Sequence, residues 1–307
     1  MKTRVLVLMG GWSAERDVSL STGAGAAAAL REKGYEVATY DVSRDLPALL
    51  RALEPRPDVV FNVLHGRGGE DGVIQGVLDM LGITYTHSGL LASAVAMDKP
   101  MTKRLLQTVG VRSPRGATVT RAAAARGEAM PAPFVVKPVN EGSSVGVAVV
   151  REGDNRSSIE GDPDELVLVE EFVPGHDLFV SVMGDRALAV TEVQANSGFY
   201  DYEAKYTAGM ARHLVPAPLP PDVYAEAMRF SLLAHQTLGC QGVSRSDLRW
   251  DDTKPGTEGL YFLEINTQPG MTPLSLVPEQ AGHLGISYAD LCAWIVEDAL
   301  CRAKPAR

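Results

Sequence analysis

Asp58-Val-Val-Phe-Asn-Val-Leu64, followed at once by His65-Gly-Arg-Gly-Gly-Glu-Asp-Gly72, decides the first part of the fold. Five of the seven residues in the first run are apolar, and it reads as a short buried strand. The glycine-rich run is a loop, and Asp71 to Leu81 then reads as a helix closed by Gly82. Upstream, Val5 to Met9 is a second buried-strand run. Ser19 to Lys33 is an Ala-rich helix ending at Gly34, and Tyr35 to Tyr40 is a third strand. Strands separated by helices imply a parallel sheet with right-handed crossovers. Ligands on such sheets lie beyond the C-terminal ends of the strands, where Gly10, Gly11 and the His65 loop fall.

From about Ala96 the pattern changes. Lys99 to Thr108 predicts a helix stopped by Gly110, Ala122 to Pro133 a connector, and Phe134-Val-Val-Lys137 a strand. A Gly/Ser loop and strands at Gly146 to Val150 and Leu166 to Val173 complete a small α+β unit. A third region carries strands at Leu178 to Met183 and Ala187 to Val193, then a Gly/Tyr-rich loop from Ser197 to Ala211. It continues with a helix at Asp222 to Leu238, strands at Gly242 to Trp250 and Leu260 to Asn266, and a last helix from Ser287. The expected fold class is α/β with α+β in three domains, 1–95, 96–177 and 178–307.

The 307 residues are 45% hydrophobic and 22% charged, too apolar for a disordered chain. The net charge of −9 argues against nonspecific nucleic-acid binding. No run reaches the roughly 18 apolar residues of a membrane span, and the apolar stretch after Arg4 is too short for a signal peptide, so a cytoplasmic chain is expected. Cys240, Cys292 and Cys301 are odd in number and widely spaced, which indicates neither a disulfide framework nor a zinc site.

Gly23-Ala-Gly25-Ala-Ala-Ala28 has the form of a dinucleotide fingerprint but falls inside a helical pattern, where close helix packing explains it better. No Walker A sequence is present. Asp247, Glu264 and Asn266 are the informative group. Period two places Glu264 and Asn266 on one strand face, and Arg245 and Asp247 on another. If the two strands pair, two carboxylates and an amide converge, a hard-oxygen set suited to Mg²⁺, with a fixed cation beside it that makes sense if an anion lies between. Lys137 closes an apolar strand and needs an anionic partner. The loop Glu141-Gly-Ser-Ser-Val-Gly146 offers backbone N–H groups and two hydroxyls to phosphates. The His65 loop aims N–H groups at an anion and positions His65 as a donor. Phe199-Tyr-Asp-Tyr-Glu-Ala-Lys-Tyr206 reads as a surface loop or a water-excluding lid.

Together these residues resemble the D-alanine:D-alanine ligase family of the ATP-grasp superfamily. The resemblance runs through nearly the whole chain in order: GGWSAERDVSLSTG, HGRGGEDG, MDKPMTK, VVKPVNEGSSVGV, SGFYDYEAKY, SRSDLRWD and LEINTQPGMTPLSLVP. It implies three domains with ATP clamped between the second and third. It implies that Lys99, Lys137 and Lys205 meet the nucleotide phosphates, with Glu170 at the adenine, Asp177 at the ribose, and Glu171 and Val173 also binding ATP. Asp247, Glu264 and Asn266 would hold two Mg²⁺, for which Mn²⁺ can substitute. Arg245 and the Gly270 N–H would stabilise charge on the substrate carboxyl. Glu15 would pair with the first substrate's ammonium, with Ser143 and Tyr206 linking it to the lid, and His65, Ser275 and Leu276 would border the amino-acid sites. Asp177 is one methylene shorter than the family's usual glutamate, Glu171 stands where a lysine is frequent, and Gln268 replaces a common serine.

The implied reaction joins two D-alanines with ATP through an acyl phosphate, for peptidoglycan precursor synthesis, in a homodimer that engages neither nucleic acid nor membrane. The rivals are a depsipeptide-forming ATP-grasp ligase, a nicotinamide-dependent oxidoreductase using the Gly23 stretch, and a silent nucleotide-binding protein.

Overall fold

Alternating apolar runs and helices in the first sixty residues produce a three-stranded parallel sheet of order β2-β1-β3, with strands β1 (Arg4–Gly10), β2 (Glu36–Val42) and β3 (Val59–Asn62). The structure is a computed structural model and describes residues 2–142, 146–154, 159–195, 211–273 and 275–303. β1 is central: Val5 faces Val37 on one side and Val59 on the other. All four residues of β3 are buried, as the apolar run predicted. Helix α1 (Arg16–Glu32) crosses over from β1 to β2. A Cβ on Gly23 would stand 2.6 Å from Met9, so the Gly/Ala stretch serves close helix-on-strand packing. Ser19 fixes the helix start: it accepts from the Gly10 N–H (2.9 Å) and donates to the Val63 carbonyl (2.7 Å).

Helix α2 (Leu46–Ala52) links β2 to β3, and three helices then connect this layer to the rest: α3 (Val73–Met80), α4 (Leu90–Met97) and α5 (Lys99–Gln107). The Asp98 carboxylate accepts from the Met101 N–H (2.9 Å) and caps α5, which puts Lys99 in the first turn. A four-stranded antiparallel sheet comes next, of order β4-β7-β5-β6: β4 (Gly116–Thr120), β5 (Phe134–Pro138), β6 (Ala148–Val150) and β7 (Leu166–Glu171). The stretch read as a connector after Ala122 contains a helix, α6 (Arg121–Arg126). Thr120 caps it at the start and Gly127, at φ 73°, closes it, so the Ala run between two good caps forms a turn and a half.

The third sheet is antiparallel, of order β10-β9-β8-β11-β12: β8 (His176–Met183), β9 (Arg186–Ala195), β10 (Ala211–Leu214), β11 (Val243–Trp250) and β12 (Leu260–Asn266). Helix α7 (Pro221–Thr237) covers one face with Ala227, Phe230 and Ala234, and Ala92, Ala96 and Leu106 of α4 and α5 join the same core. The chain ends in α8 (Leu276–His283) and α9 (Tyr288–Arg302). Leu291, Cys292, Ile295 and Val296 of α9 pack back onto Val5, Val7 and Ala26, so Cys292 is a small core residue. Among the described residues no helix is long and apolar enough to cross a membrane.

Candidate active site

Antiparallel register builds the centre of the site. Asp247 on β11 lies directly opposite Glu264 on β12, and Arg245 opposite Asn266. Directly opposed residues, and residues two apart, share a face, so all four side chains stand on one surface of the third sheet. Arg245 grips Asp247 with two hydrogen bonds, of 2.7 and 3.0 Å. Lys99 reaches Glu264 at 3.3 Å and also donates to the Glu141 carbonyl. Two carboxylates and an amide oxygen on one face fit a hard divalent cation, and each carboxylate is already matched by a cationic side chain that such an ion would replace. Asn266 Oδ1 also accepts from the Gln268 N–H at 2.8 Å.

This surface closes one side of a cleft of about 890 Å³. The opposite wall comes from the second sheet, with Val135, Lys137 and Glu170. Glu171, Phe172, Val173 and Asp177 border one end, and Lys99, Asp247 and Glu264 line it too. Lys137 has the anionic partner its position demanded: Glu170 at 3.0 Å. Glu170 is 1% exposed and also pairs with Lys103 of α5. Burial pushes the Glu170 carboxyl up, but Lys103 and Lys137 outweigh it and hold it below the usual carboxylate range. Burial likewise draws Lys103 down to about 8, against the pull of Glu170. At the far end Arg249 donates to Asp177 (2.7 Å) and to the Val173 carbonyl (3.0 Å), fixing the loop between β7 and β8.

A second pocket of about 620 Å³ adjoins the cleft and shares Lys99, Glu141 and Glu264 with it. Glu15, His65, Glu70, Arg245, Asn266 and Gly270 line it. Glu15 occupies the N-cap position of α1 but makes no side-chain cap bond. His65 Nδ1 lies 3.1 Å from the Gln268 carbonyl, so this nitrogen carries the proton and donates. Its Nε2 is buried with no hydrogen-bond partner among the described residues. Burial lowers the His65 pKa, partly countered by Glu15, so in the neutral ring Nε2 is an acceptor rather than the donor expected from the loop.

The structure therefore brings together most of the residues singled out in the sequence. Glu15, His65, Arg245, Asn266 and Gly270 share the smaller pocket, and Lys137, Glu170, Glu171, Val173, Asp177 and Asp247 the larger, with Lys99 and Glu264 in both. Ser275 and Leu276 line neither. Ser275 lies just behind Gly270, where a Cβ would stand 3.1 Å from its Oγ, and Leu276 packs on Phe179 and Val193. Ser143, Lys205 and Tyr206 lie outside the described residues. The Glu171 side chain pairs with Arg115, which donates to it at 2.8 Å. The sequence reading missed Lys103, Arg249 and Glu70. Each stands inside a quoted motif, and the alternation Arg245-x-Asp247-x-Arg249 was the legible signal for the second. Gln268 acquires a structural role: Asn62 donates to its Oε1 (3.3 Å) and its amide donates to the Asn62 carbonyl, stitching the end of β12 to β3.

Two antiparallel sheets holding a lysine-lined cleft between them, with paired carboxylates on the floor, define the ATP-grasp fold. Residues 106–297 match the family model described as D-ala D-ala ligase C-terminus, and residues 47–88 the one described as D-ala D-ala ligase N-terminus. A D-alanine–D-alanine ligase of Paramagnetospirillum magneticum is 57% identical over 307 residues, covering 98% of this chain and 100% of the relative. The crystal structure of the D-alanine–D-alanine ligase of Bacillus anthracis complexed with ATP superposes with a TM-score of 0.80 at 30% identity, covering 99% of this chain and 98% of that one. The VanG D-Ala:D-Ser ligase of Enterococcus faecalis superposes with a TM-score of 0.80 at 26% identity, covering 97% and 100%. The chain belongs to the D-alanine–D-alanine ligase family.

Proposed function

We propose that this chain joins two D-alanines to D-alanyl-D-alanine at the expense of ATP, through an acyl phosphate, as a cytoplasmic homodimer supplying peptidoglycan precursors. One observation carries the reading: the larger cleft and the smaller pocket meet at Lys99 and Glu264, 3.3 Å apart. A nucleotide in the first then points its terminal phosphate at an amino acid in the second. The proposed division 1–95, 96–177 and 178–307 leaves most of one sheet in each part, but its boundaries fall inside α4 (Leu90–Met97) and inside β8 (His176–Met183).

The chemistry follows from charge. A carboxylate is a poor electrophile, so its oxygen attacks the γ-phosphorus, the β–γ bridging P–O bond breaks, and ADP leaves. Lys99, Lys137 and Lys205 are read as phosphate ligands that neutralise the transferred group, and Ser143 and Tyr206 as the partners that link Glu15 to the lid. Asp247, Glu264 and Asn266 would hold Mg²⁺, or Mn²⁺, which supplies charge neutralisation at the phosphates. Glu15 and the acceptor nitrogen of His65 take the donor's ammonium. The acceptor amine then attacks the acyl carbon and phosphate leaves. Arg245 and the Gly270 N–H stabilise the tetrahedral oxyanion, a donor role of about 3–4 kcal/mol where removal of one donor has been measured. Ser275 and Leu276 border the acceptor. Glu170, Glu171 and Val173 meet the adenine, and Asp177 the ribose.

The test is phosphate release with D-alanine against L-alanine, with and without Mg²⁺. Release only with D-alanine and Mg²⁺ is expected, and equal release with both enantiomers, or none with either, refutes the reading.

A further inference from the structure

Glu70 has no part in the mechanism above, yet it opens into the amino-acid pocket. It is 7% exposed, in the loop after β3, and lines that pocket with Glu15 and His65. A Cβ placed on Gly142 would stand 3.0 Å from Glu70 Oε1 and 3.5 Å from Glu15 Oε2, so two carboxyl groups converge on one small volume over a residue that has no side chain. The neighbouring acids each have a cationic partner: Glu141 pairs with Arg67 at 2.8 Å, Glu264 with Lys99 at 3.3 Å and Asp247 with Arg245 at 2.7 Å. Among the described residues no lysine or arginine pairs with Glu70. A buried acid in that position is either protonated or partnered by a ligand cation.

We propose that Glu70 is a second carboxylate for the substrate's ammonium, sharing it with Glu15, and that the ammonium displaces a proton from Glu70 as it binds. This rests on the ligase reading and adds a residue that selects α-amino acids over hydroxy or N-acylated acids at the donor position. An ammonium has three N–H donors, and Glu15, Glu70 and His65, whose Nε2 has no hydrogen-bond partner among the described residues, are three acceptor-bearing residues that line one pocket. The charged and titratable groups that line this pocket with Glu70 are Glu15, His65, Lys99, Glu141, Arg245 and Glu264. Burial, and then the charge of Glu15, raise the Glu70 pKa well above normal, and a backbone hydrogen bond from Gly66, then Lys99 and Arg245, offset this only in part. The exchange balances: the Glu70 O–H bond breaks, its proton goes to solvent, and the incoming cation replaces that charge.

The experiment is calorimetric titration of D-alanine into the full chain near pH 6.5, in two buffers of different ionisation enthalpy, with ADP formation measured in parallel. Wild type is expected to release up to one proton per D-alanine bound at this site. Glu70→Gln is expected to lose that release and to raise the dissociation constant and KM for D-alanine about tenfold to a hundredfold, with the KM for ATP unchanged. Glu70→Asp, which keeps the acid, is expected to keep the proton release with a smaller rise in KM, and it stands in should the Gln variant fail to fold. A purely structural Glu70 would change stability but not the proton count. Wild-type affinity and wild-type proton release in Glu70→Gln overturn the inference, as does an unchanged KM in Glu70→Asp. Absence of ADP formation by wild type with D-alanine would instead sink the ligase reading.

Discussion

Glu170→Gln is the perturbation whose outcome the structure specifies most closely. Glu170 is 1% exposed and neutralises two lysines at once, Lys137 at 3.0 Å and Lys103. Their side chains are only 12% and 10% exposed, so neither can turn its charge fully into water. Removing one partner of a buried pair costs about 3–5 kcal/mol, because the stranded charge keeps its desolvation penalty. Here the loss is capped. Lys103 already sits near 8 and, without Glu170, sheds its proton at neutral pH instead of remaining a buried cation. The expected loss is therefore at the lower end, about 3 kcal/mol. At roughly 2–4 °C per kcal/mol for a chain of this order of size, the midpoint should fall by about 6–12 °C in ligand-free calorimetry at pH 7.5. The double variant Lys103→Met with Glu170→Gln should recover part of that loss, since it removes one of the two stranded cations. A Glu170→Gln chain within about 0.5 kcal/mol of wild type would show that the two lysines do not depend on this carboxylate.

Lys137→Ala and Glu264→Ala are each expected to abolish ADP release while far-ultraviolet circular dichroism stays native, and full activity in either would refute the site assignment. Arg245→Ala should lower kcat by about 10²–10³ with little change in the KM for ATP, because its contact strengthens in the transition state; a change confined to ATP binding counts against that role. Asp177→Ala should raise the KM for ATP more than it alters kcat, because Arg249 then loses its carboxylate partner beside the Val173 carbonyl. Burial raises the Glu70 pKa, so the folded chain keeps a proton that the unfolded chain releases above about 4.3. Unfolding thus releases a proton from Glu70 in this window, so its own contribution to stability should fall as pH rises from about 5 towards the raised Glu70 value, against the opposite contribution of the buried His65, His87 and His235, whose pKa values burial lowers. Denaturant titration should find wild type losing stability relative to Glu70→Gln across this range, and a difference that does not change with pH would refute the raised value.

Residues whose chemistry is local could be read from the sequence. The period-two spacing of Glu264 and Asn266, and of Arg245 and Asp247, fixed which side chains share a face, and antiparallel pairing then set them opposite one another. The strand-ending Lys137 announced a buried anion but not which one, because Glu170 comes from a strand 33 residues away and its second partner from helix α5. Lys103 and Arg249 were hidden for the same reason: a cation inside a motif looks solvated until the elements pack. His65 was read in the wrong hydrogen-bonding sense because its tautomer is set by the Gln268 carbonyl, 203 residues along the chain. Helix α6 was missed because its caps, Thr120 and Gly127, bracket too short an Ala run for periodicity to speak.

The same packing explains how a chain with a net charge of −9 can receive a triphosphate. In the ligand-free arrangement the site cations are held by site anions: Lys99 by Glu264, Arg245 by Asp247, Lys137 by Glu170. No long-range positive field is needed, since phosphates and divalent ions arrive together and the pairs exchange partners: lysines turn to phosphate oxygens as carboxylates turn to the metal. Desolvation has already been met on folding, so the exchange trades one buried ion pair for another rather than stripping charges from water at each turnover. Glu170 differs from the other two acids. Its second lysine keeps it neutralised when Lys137 turns away, which leaves Lys137 free to follow the phosphate while the wall behind it stays intact.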